Sequence, residues 1–564
     1  MGILSTAEVL YVAHVRPQSE HRSKIAAVAG RSKAKAMSAL SRQLSQSSIK
    51  DSSPVQQRKT IVDNPVPQLP PGASSPRDNP VLLDVAPNTN KYRTPSDKLV
   101  LILVGLPARG KTFIARKICR YLEFFHAASV RVFNIGNYRR ELHGPHHDAA
   151  WFDPANPVGL KQRKAATDAA LRDLKKWVGE ANDGRVAILD GTHSTLAKRQ
   201  YAIQTLKSLE VKIIMIESVC TDPETVERNI RHCKLGTPDY VGIPADEATR
   251  DFRARVAAYE STYETIDAPS TKGVEKNRSW IKIVDCRRFV INNVRGFLPS
   301  RLIQFLSHLH MEPHAFYLSR HGQSEYNVLG KIGGDSGLSP LGDAYAKALA
   351  RFCRDEVTKG EKGERPARLW TSTLRRTRET ARYISHHSIT IDYDQDDVDH
   401  AQEWVQLRPV AWSNLDELFA GVCDGMTYEE IEKHYPDEFR RRQNDKLAYR
   451  YPRGESYLDM IHRLDQMVFE MDRHREPLLI VAHQGILRLL YAYLMDMPRE
   501  EAPYVSIPLN TVIKLEPKVY GCDEKRFELL RKCPNPDGQK ETRLRKSESV
   551  DDDPLFRDDD PPSH

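Results

Sequence analysis

The chain is 564 residues long, and 40% of its residues are hydrophobic and 28% charged. This size and composition predict more than one folded core and exclude a small disulfide-stapled protein. The formal net charge is +8, but residues 1–96 hold 13 Lys and Arg against 6 Asp and Glu. The remainder is therefore nearly neutral, which argues against a nucleic-acid-binding body.

No run approaches the ~20 apolar residues of a membrane span, and the first residues lack the basic and apolar segments of a secretory signal. The eight cysteines form no CxxC pair and no compact cluster with zinc-ligand spacing. We therefore expect a cytoplasmic protein with reduced thiols and no membrane span. The start MGILST also has the form of a myristoylation signal on Gly2, a short pattern that matches often.

Composition divides the chain into four segments. Residues 1–95 are rich in Ser, Pro and Gln, which predicts a disordered basic arm. Residues 96–310 and 311–520 are predicted to be folded domains. Residues 521–564 are predicted to be a mostly disordered tail, because a basic patch and an acidic run follow residue 534.

Apolar runs typical of buried strands occur in both folded segments. The first contains LVLILVG at 99–105, VAILD at 186–190, VKIIMIESV at 211–219 and WIKIVD at 280–285. The second contains HAFYLSRHG at 314–322, RLWTS at 368–372 and PLLIVAHQG at 477–485. This pattern predicts two α/β domains, the first with a parallel sheet, joined by a helix within residues 295–310. Reactive sites are expected at the carboxyl ends of the strands.

The segment GLPARGKT, residues 105–112, matches the phosphate-binding pattern GxxxxGK[ST] between a strand and a helix. Its backbone N–H groups suit a polyphosphate, Lys111 can reach the β- and γ-phosphates, and Thr112 can join Mg²⁺. Asp190 ends the VAILD run and can act near the metal or the attacking hydroxyl, although an Asp there can also simply cap a helix. Recurrent basic residues predict an anionic acceptor; they are Arg139, Arg163 and Arg255.

The order of GLPARGKT, FNIGNYRRE, IESVCTDPETVERNI, LGTPDY and AYESTY resembles the kinase half of the 6-phosphofructo-2-kinase/fructose-2,6-bisphosphatase family. The resemblance implies a P-loop domain that uses ATP and Mg²⁺ to phosphorylate fructose 6-phosphate, with Asp190 and Lys111 catalytic and Thr112 and Asp190 near the metal. It implies sugar contacts at Arg139, Arg163, Thr192, Arg255 and Tyr259. It implies nucleotide contacts at Gly105, Arg109, Gly110, Lys111, Thr112, Asn229 and Lys234.

Two substitutions follow Asp190. The family's usual DATNTTRERR stands here as DGTHSTLAKR, so His193 replaces an Asn and Leu196 replaces a basic residue. An imidazole does not reproduce the donor and acceptor of a carboxamide, and leucine cannot contact phosphate. Asn137 also stands where many members have Glu. These changes leave the kinase chemistry available but put its strength in question.

The second domain places histidines after two predicted strands, His321 in LSRHG and His483 in VAHQG. Together with TSTLRRTRETA at 371–381, LDELFAGVCDGMTYEEI at 415–431 and YRYPRGESY at 449–457, they resemble the histidine phosphatase half of the same family. A neutral His321 can attack phosphorus and become a phosphohistidine. Arg320, Arg376 and His483 can stabilise the equatorial oxygens, and Glu417 can protonate the leaving alkoxide.

The resemblance also implies a substrate. It assigns sugar and 6-phosphate contacts to Asn327, Tyr428, Arg442, Lys446, Tyr457, Gln484 and Arg488. Three of these, Arg442, Lys446 and Arg488, offer a second anion pocket away from the nucleophile, which favours fructose 2,6-bisphosphate over a mutase substrate. Lys331 stands where Arg is frequent, so it keeps the charge but loses the bidentate fork.

The leading hypothesis is a bifunctional enzyme that makes fructose 2,6-bisphosphate and hydrolyses its 2-phosphate, thereby controlling glycolysis and gluconeogenesis. One alternative is a phosphatase whose weak or inactive kinase domain senses nucleotide, and another is a non-catalytic metabolite sensor. A homodimer is expected from the resemblance. Hydroxyls that follow basic residues in the tails predict phosphorylation by regulatory protein kinases; they are Ser45, Thr60 and Ser547.

Overall fold

The computed structural model describes residues 98–533 and 541–544, apart from residues 181–184, 210, 269–272, 311, 313, 362, 393–400 and 519–520. The predicted arm, residues 1–95, and the last part of the predicted tail, residues 545–564, lie outside the described residues. Within the described ranges, no helix has the length and apolarity needed to cross a membrane.

The first sheet has six strands. They are β1 (Leu99–Val104), β2 (Ser129–Asn134), β3 (Arg185–Asp190), β4 (Lys212–Val219), β5 (Trp280–Val284) and β6 (Arg288–Asn292). The spatial order is β2-β3-β1-β4-β5-β6, and the pairs are parallel except for the antiparallel pair β5 and β6. All six residues of β1 are buried, because a central parallel strand is covered on both faces. The four strands predicted for this segment are confirmed.

Helices cover this sheet. They are α1 (Lys111–His126), α2 (Ile135–His143), α3 (Ala149–Phe152), α4 (Pro157–Gly179), α5 (Leu196–Leu206), α6 (Pro223–Asn229) and α7 (Ala245–Glu260). A π-helical turn, Ile230–Lys234, continues α6. Asn156 and Thr195 cap α4 and α5, because each side chain accepts a hydrogen bond from a first-turn backbone N–H.

The connecting helix predicted within residues 295–310 is confirmed as α8 (Phe297–His308). The helices that follow it are α9 (Glu325–Val328), α10 (Pro340–Phe352), α11 (Arg375–Ala381), α12 (Tyr428–His434), α13 (Pro436–Asn444), α14 (Tyr457–Arg473) and α15 (Gln484–Leu494). Shorter turns are the π-helical Cys353–Val357 and the 3₁₀ helices Ser413–Leu415, Gly421–Cys423 and Ala502–Tyr504.

The second main sheet is mixed. The strands of this half are β7 (Phe316–Arg320), β8 (Lys359–Gly360), β9 (Gly363–Glu364), β10 (Arg368–Thr371), β11 (Ser388–Asp392), β12 (Ala401–Val405), β13 (Pro409–Ala411), β14 (Leu478–Ala482), β15 (Thr511–Lys518), β16 (Gly521–Glu528), β17 (Leu530–Cys533) and β18 (Glu541–Leu544). The main sheet has the order β13-β10-β14-β7-β15-β16, in which β15 and β16 are antiparallel to their neighbours. The remaining strands form three separate two-stranded sheets.

The predicted start of the tail at residue 521 is too early. Strand β16 pairs with β15 from Lys518 opposite Gly521 to Thr511 opposite Glu528, so the main sheet continues past the predicted boundary. The sequence of β16, GCDEKRFE, is mostly charged, and Phe527 is the one buried residue of the strand. An edge strand of this kind lacks the apolar run by which seven of the other strands were predicted.

Apolar side chains of α1, α8 and α14 pack together between the two sheets. The rings of Tyr121 and Phe305 stack with centroids 4.3 Å apart, and Phe469 lies 5.5 Å from Tyr121. A buried ion pair crosses the same contact, since Lys117 Nζ lies 2.8 Å from Asp472 Oδ1. Helix α1 follows the phosphate-binding loop of the first domain, and it thus packs against α14 of the second domain.

Candidate functional sites

The phosphate-binding loop has a tightly held backbone. Gly105 has φ +137° and Gly110 has φ +79°, conformations that favour glycine. A Cβ at Gly105 would also collide with the carbonyl oxygen of Ser218. The hydroxyl of Ser218 donates to the carbonyl of Arg109 at 2.5 Å, which ties the loop to β4. These contacts therefore fix the backbone conformation of the loop, and with it the orientation of its N–H groups, just before α1.

Asp190 lies beside this loop at the carboxyl end of β3. Its Oδ2 accepts hydrogen bonds from Thr112 Oγ1 at 2.9 Å and from Asn134 Nδ2 at 2.5 Å, and the residue is 3% exposed. Burial lowers the pKa of Lys111 to about 7, although the charge of Asp190 opposes this shift. Asn134 was not predicted. Asn134 could have been recognised by its position, because it ends β2 directly opposite Asp190 in the parallel strand pair.

A cavity of about 490 Å³ opens at this edge of the first sheet. It brings together every predicted nucleotide and sugar residue of this domain except Gly105. The residues are Arg109, Gly110, Lys111, Thr112, Arg139, Arg163, Asp190, Thr192, Asn229, Lys234, Arg255 and Tyr259. Asn229 Nδ2 donates to the carbonyl of Ala108 at 3.1 Å, so one nucleotide-side residue also supports the loop.

Two charged residues that were not predicted, Asp239 and Lys198, also line this cavity, near its arginines. Arg139 Nη2 donates to both carboxylate oxygens of Asp239, at 2.7 and 2.6 Å, and Arg255 Nη1 lies 3.6 Å from Asp239. Lys198 Nζ lies 5.7 Å from the ring centroid of Tyr259, and burial and then the charge of Arg163 lower its pKa. Asp239 belongs to the LGTPDY motif, and Lys198 is a basic residue in the first turn of α5, but neither position by itself indicates this cavity.

The structure changes the interpretation of the two substitutions after Asp190. His193 is 4% exposed, and its Nδ1 lies 2.7 Å from the carbonyl oxygen of Leu103, so the ring donates to the strand that precedes the loop. Burial lowers the pKa of His193 to about 4, which keeps the ring neutral. Leu196 does not line the cavity, whereas Lys198, two residues later, does. His193 thus has a structural role toward the strand before the loop, and Lys198 supplies a cation at the cavity.

The second site lies at the carboxyl ends of β7 and β14, which are adjacent and parallel. His321 Nδ1 lies 2.8 Å from the carbonyl oxygen of Gly322, so Nδ1 carries the proton and Nε2 keeps its lone pair. Burial, followed by the charges of Arg376 and Arg320, lowers the pKa of His321 well below its usual value. His483 is fully buried, and its ring centroid lies 5.2 Å from that of His321.

A cavity of about 550 Å³ contains the remaining predicted residues of this site. Its walls include Arg320, His321, Asn327, Arg376, Glu417, Tyr428, Arg442, Lys446, Tyr457, Gln484 and Arg488. The hydroxyls of Tyr428 and Tyr457 lie 2.9 and 3.4 Å from the guanidinium groups of Arg442 and Arg488, respectively. His483 is not among the residues that line the cavity, but its ring lies 5.2 Å from the ring of His321, which does.

The carboxylate of Glu417 is held by two backbone donors. Leu418 N–H donates to Oε1 at 2.9 Å and Gly485 N–H donates to Oε2 at 3.3 Å. A Cβ at Gly485 would lie 2.5 Å from Glu417 Oε1, so a side chain at residue 485 would displace this carboxylate. Asn327 also has a structural role, since its Oδ1 accepts from Ser324 N–H at 3.0 Å in a capping box. Ser372, which contacts His483, was not predicted, although it lies in the TSTLRRTRETA segment.

The first domain has a phosphate-binding loop next to a buried acid, which is typical of a kinase. The second domain has two histidines and two arginines in one site, which is typical of a histidine phosphatase. The chain is therefore a kinase domain linked to a histidine phosphatase domain. The family model of 6-phosphofructo-2-kinase matches residues 88–313. The model of the histidine phosphatase superfamily (branch 1) matches residues 316–529. The chain belongs to the 6-phosphofructo-2-kinase/fructose-2,6-bisphosphatase family.

Two bifunctional relatives agree with this assignment. The chain is 41% identical over 424 residues to 6-phosphofructo-2-kinase/fructose-2,6-bisphosphatase 4 of Rattus norvegicus, covering 75% of this chain and 83% of the relative. It is 42% identical over 438 residues to 6-phosphofructo-2-kinase/fructose-2,6-bisphosphatase of Arabidopsis thaliana, covering 77% of this chain and 54% of the relative. The alpha-ribazole phosphatase from Shigella flexneri, a solved structure, is 22% identical with a TM-score of 0.29, covering 36% of this chain and 89% of that chain.

Proposed function

We propose that this chain synthesises fructose 2,6-bisphosphate from ATP and fructose 6-phosphate and hydrolyses its 2-phosphate. One observation carries the proposal: each domain gathers nearly all of its predicted groups around one cavity, with Asp190 and His321 at the carboxyl ends of strands. Lys111 and Asp190 meet in the first cavity, and His321, Arg376 and Glu417 meet in the second. The chain thus holds separate groups for making and for breaking the same bond.

In the kinase site, the loop N–H groups and Lys111 bind the β- and γ-phosphates, and Asp190 lies where the 2-hydroxyl of the sugar attacks. Arg139, Arg163 and Arg255 bind the 6-phosphate and hold the sugar in place. The oxygen atoms of Thr112 and Asp190 are the kind of ligand that Mg²⁺ prefers, and these two residues would hold it. A bound Mg²⁺ would neutralise charge on the transferred phosphoryl group.

In the phosphatase site, Nε2 of His321 attacks phosphorus of the 2-phosphate, and the bond from phosphorus to the sugar oxygen breaks. Glu417 gives a proton to that leaving oxygen, and Arg320 and Arg376 hold the equatorial oxygens. Water then attacks the phosphohistidine, Glu417 takes its proton, and inorganic phosphate leaves. The second anion pocket, formed by Arg442, Lys446 and Arg488, binds the 6-phosphate and so orients the substrate.

Matched variants of the full chain test the two activities separately. Lys111→Met should abolish synthesis from ATP and fructose 6-phosphate while hydrolysis continues. His321→Ala should abolish hydrolysis and the labelled phosphoenzyme while synthesis continues. A wild-type chain that hydrolyses but does not synthesise would instead support the phosphatase with a nucleotide-sensing domain. A chain with neither activity would support the non-catalytic sensor.

We also propose a homodimer. Strand β6 is the last strand of the first sheet and has no partner on its outer side within the described ranges. Two apolar residues of this strand, Val290 and Ile291, are 42% and 45% exposed, and an exposed apolar edge strand favours pairing. Light scattering should give a mass near twice 64.3 kDa, and a monomer at micromolar concentration would contradict the proposal.

We also propose that the protein is cytoplasmic. The seven cysteines whose side chains the structure describes are all free thiols, which agrees with a reducing compartment such as the cytoplasm.

We also propose that regulatory protein kinases act on the tail hydroxyls Ser45, Thr60 and Ser547, which lie outside the described residues. Phosphopeptide mapping of the native protein tests them, and phosphate-free tail peptides would contradict this part of the proposal.

A further inference from the structure

Ser372 is a fully buried hydroxyl directly beside His483. It follows β10, and His483 follows the neighbouring parallel strand β14, in which Val481 pairs with Thr371. The Oγ atom of Ser372 lies 2.7 Å from Nε2 of His483. Ser372 N–H also donates to the carbonyl of Val481 at 3.3 Å, so the backbone of one strand end fixes the serine against the other.

The direction of this hydrogen bond is limited by the number of protons present. Ser372 Oγ accepts from Leu374 N–H at 3.1 Å and has one proton to give. Thr377 Oγ1, at 2.9 Å, is the other neighbour. The threonine gives its own proton to a backbone carbonyl, because the carbonyl oxygens of Leu374 and Ser372 lie 2.8 and 3.1 Å away. The serine proton therefore goes either to His483 Nε2 or to Thr377 Oγ1.

The chemistry of the site distinguishes these two arrangements. Nδ1 of His483 is buried and has no hydrogen-bond partner among the groups that the structure describes. Burial, then the charges of Arg376 and His321, lowers the pKa of His483 well below its usual value, so the ring is neutral and has one N–H. If that proton were on Nε2, the bare lone pair of Nδ1 would lie beside the anionic oxygens bound by Arg376. If Ser372 donates to Nε2, Nδ1–H is a donor to those oxygens.

We propose that Ser372 is a positioning residue: its hydroxyl donates to Nε2 of His483 and holds the imidazole in the Nδ1–H tautomer that faces the transferred phosphoryl group. This inference rests on the proposed phosphatase function and deepens it. Ser372 touches no substrate atom and acts through His483. It therefore affects the rate of phosphoryl transfer to His321 more than the binding of the sugar bisphosphate.

The first test compares Ser372→Ala with Thr377→Val in the full chain. Both remove a hydroxyl from the same network, but only Ser372 contacts His483. Ser372→Ala should slow single-turnover formation of phosphohistidine by about 10- to 100-fold, with KM unchanged. The acid limb of its kcat/KM profile should move to higher pH, because Nε2 can then be protonated. Thr377→Val should react like the wild type, and equal rates for all three proteins would overturn the proposal.

The second test does not depend on activity. In a ¹⁵N-histidine-labelled full chain, the His483 signals are identified as those missing from His483→Gln. We expect a protonated Nδ1 and an unprotonated Nε2 in the wild type, and loss of this pattern in Ser372→Ala. A wild-type chain with Nε2–H would overturn the proposal even if hydrolysis is normal. A chain with the Nδ1–H tautomer but no hydrolysis would support the hydrogen bond and contradict the proposed phosphatase function.

Discussion

The buried ion pair between Lys117 and Asp472 joins the helix after the phosphate-binding loop to α14 of the phosphatase domain. The residues are 5% and 3% exposed, and Nζ and Oδ1 are 2.8 Å apart. Asp472 Oδ2 has no hydrogen-bond partner within the described part of the chain. Burial raises the pKa of Asp472, but the charge and hydrogen bond of Lys117, together with the charges of His314 and Arg120, outweigh burial, so the pKa lies below its usual value. The aspartate therefore stabilises the fold above the usual carboxyl pKa, and this contribution is lost as the pH falls through the lowered value.

Removing one charge should cost much more than removing both. Asp472→Leu leaves a buried ammonium without its counter-ion, which should lower the free energy of unfolding by about 3–5 kcal/mol. At about 1.4 kcal/mol per factor of ten, that is roughly two to four orders of magnitude in the folding equilibrium. Lys117→Met with Asp472→Leu removes both desolvation penalties, so the double variant should recover most of the loss.

Urea unfolding of the full chain, followed by tryptophan fluorescence, measures these differences. The control is Arg473→Ala on the same helix, because Arg473 pairs with Glu470 at the surface, with side chains 58% and 27% exposed. Loss of that exposed pair should cost less than about 1 kcal/mol. An Asp472→Leu variant no less stable than this control, or a double variant less stable than either single one, would refute the reasoning.

Three further outcomes follow from the two cavities. His193→Asn should retain synthesis because its carboxamide N–H can donate to the carbonyl of Leu103. His193→Leu should lose about 5- to 150-fold in rate, since an unsatisfied buried carbonyl costs ~1–3 kcal/mol; steady-state assays of both variants check this. Because the pKa of Lys111 is lowered to about 7 and phosphate binding favours its charged form, nucleotide binding should take up a proton above pH 7 and weaken up to about tenfold per pH unit; calorimetry in buffers of different ionisation enthalpy measures the uptake. Arg442→Ala should raise the KM for hydrolysis and leave synthesis unchanged in parallel assays.

Seven strands, four in the first sheet and three in the second, could be predicted because a buried parallel strand is a short continuous apolar run. LVLILV became the fully buried β1, and LLIVA became the fully buried β14. Strand β16 could not be predicted in this way, because five of its eight residues, Asp523, Glu524, Lys525, Arg526 and Glu528, are charged. Its position depends on backbone pairing with β15 rather than on side-chain burial, and pairing leaves little trace in the sequence of an edge strand.

The reactive residues of each site could be predicted because they end apolar runs or belong to recognisable motifs. Their supporting partners could not, since the contacts join positions far apart in the chain. Asp239 is 100 residues from Arg139, and Ser372 is 111 residues from His483. An Asp in a loop or a Ser after a strand has many ordinary roles. Only the fold shows that these particular side chains hold the groups that were predicted.

His193 and Leu196 show why a substitution is better judged by its contacts than by its chemistry alone. The sequence puts the strength of the kinase in question, because imidazole and carboxamide differ and leucine has no charge. In the fold, His193 donates at 2.7 Å to the strand that carries the phosphate-binding loop, and the cation that lines the cavity is Lys198 rather than residue 196. The nearby Arg199 is fully buried and bound to Glu275 at 2.6 and 2.8 Å, so it stabilises the fold and is held away from phosphate. The idea of a purely nucleotide-sensing first domain thus loses the observation that motivated it, and synthesis by Asp190 and Lys111 becomes the simpler expectation.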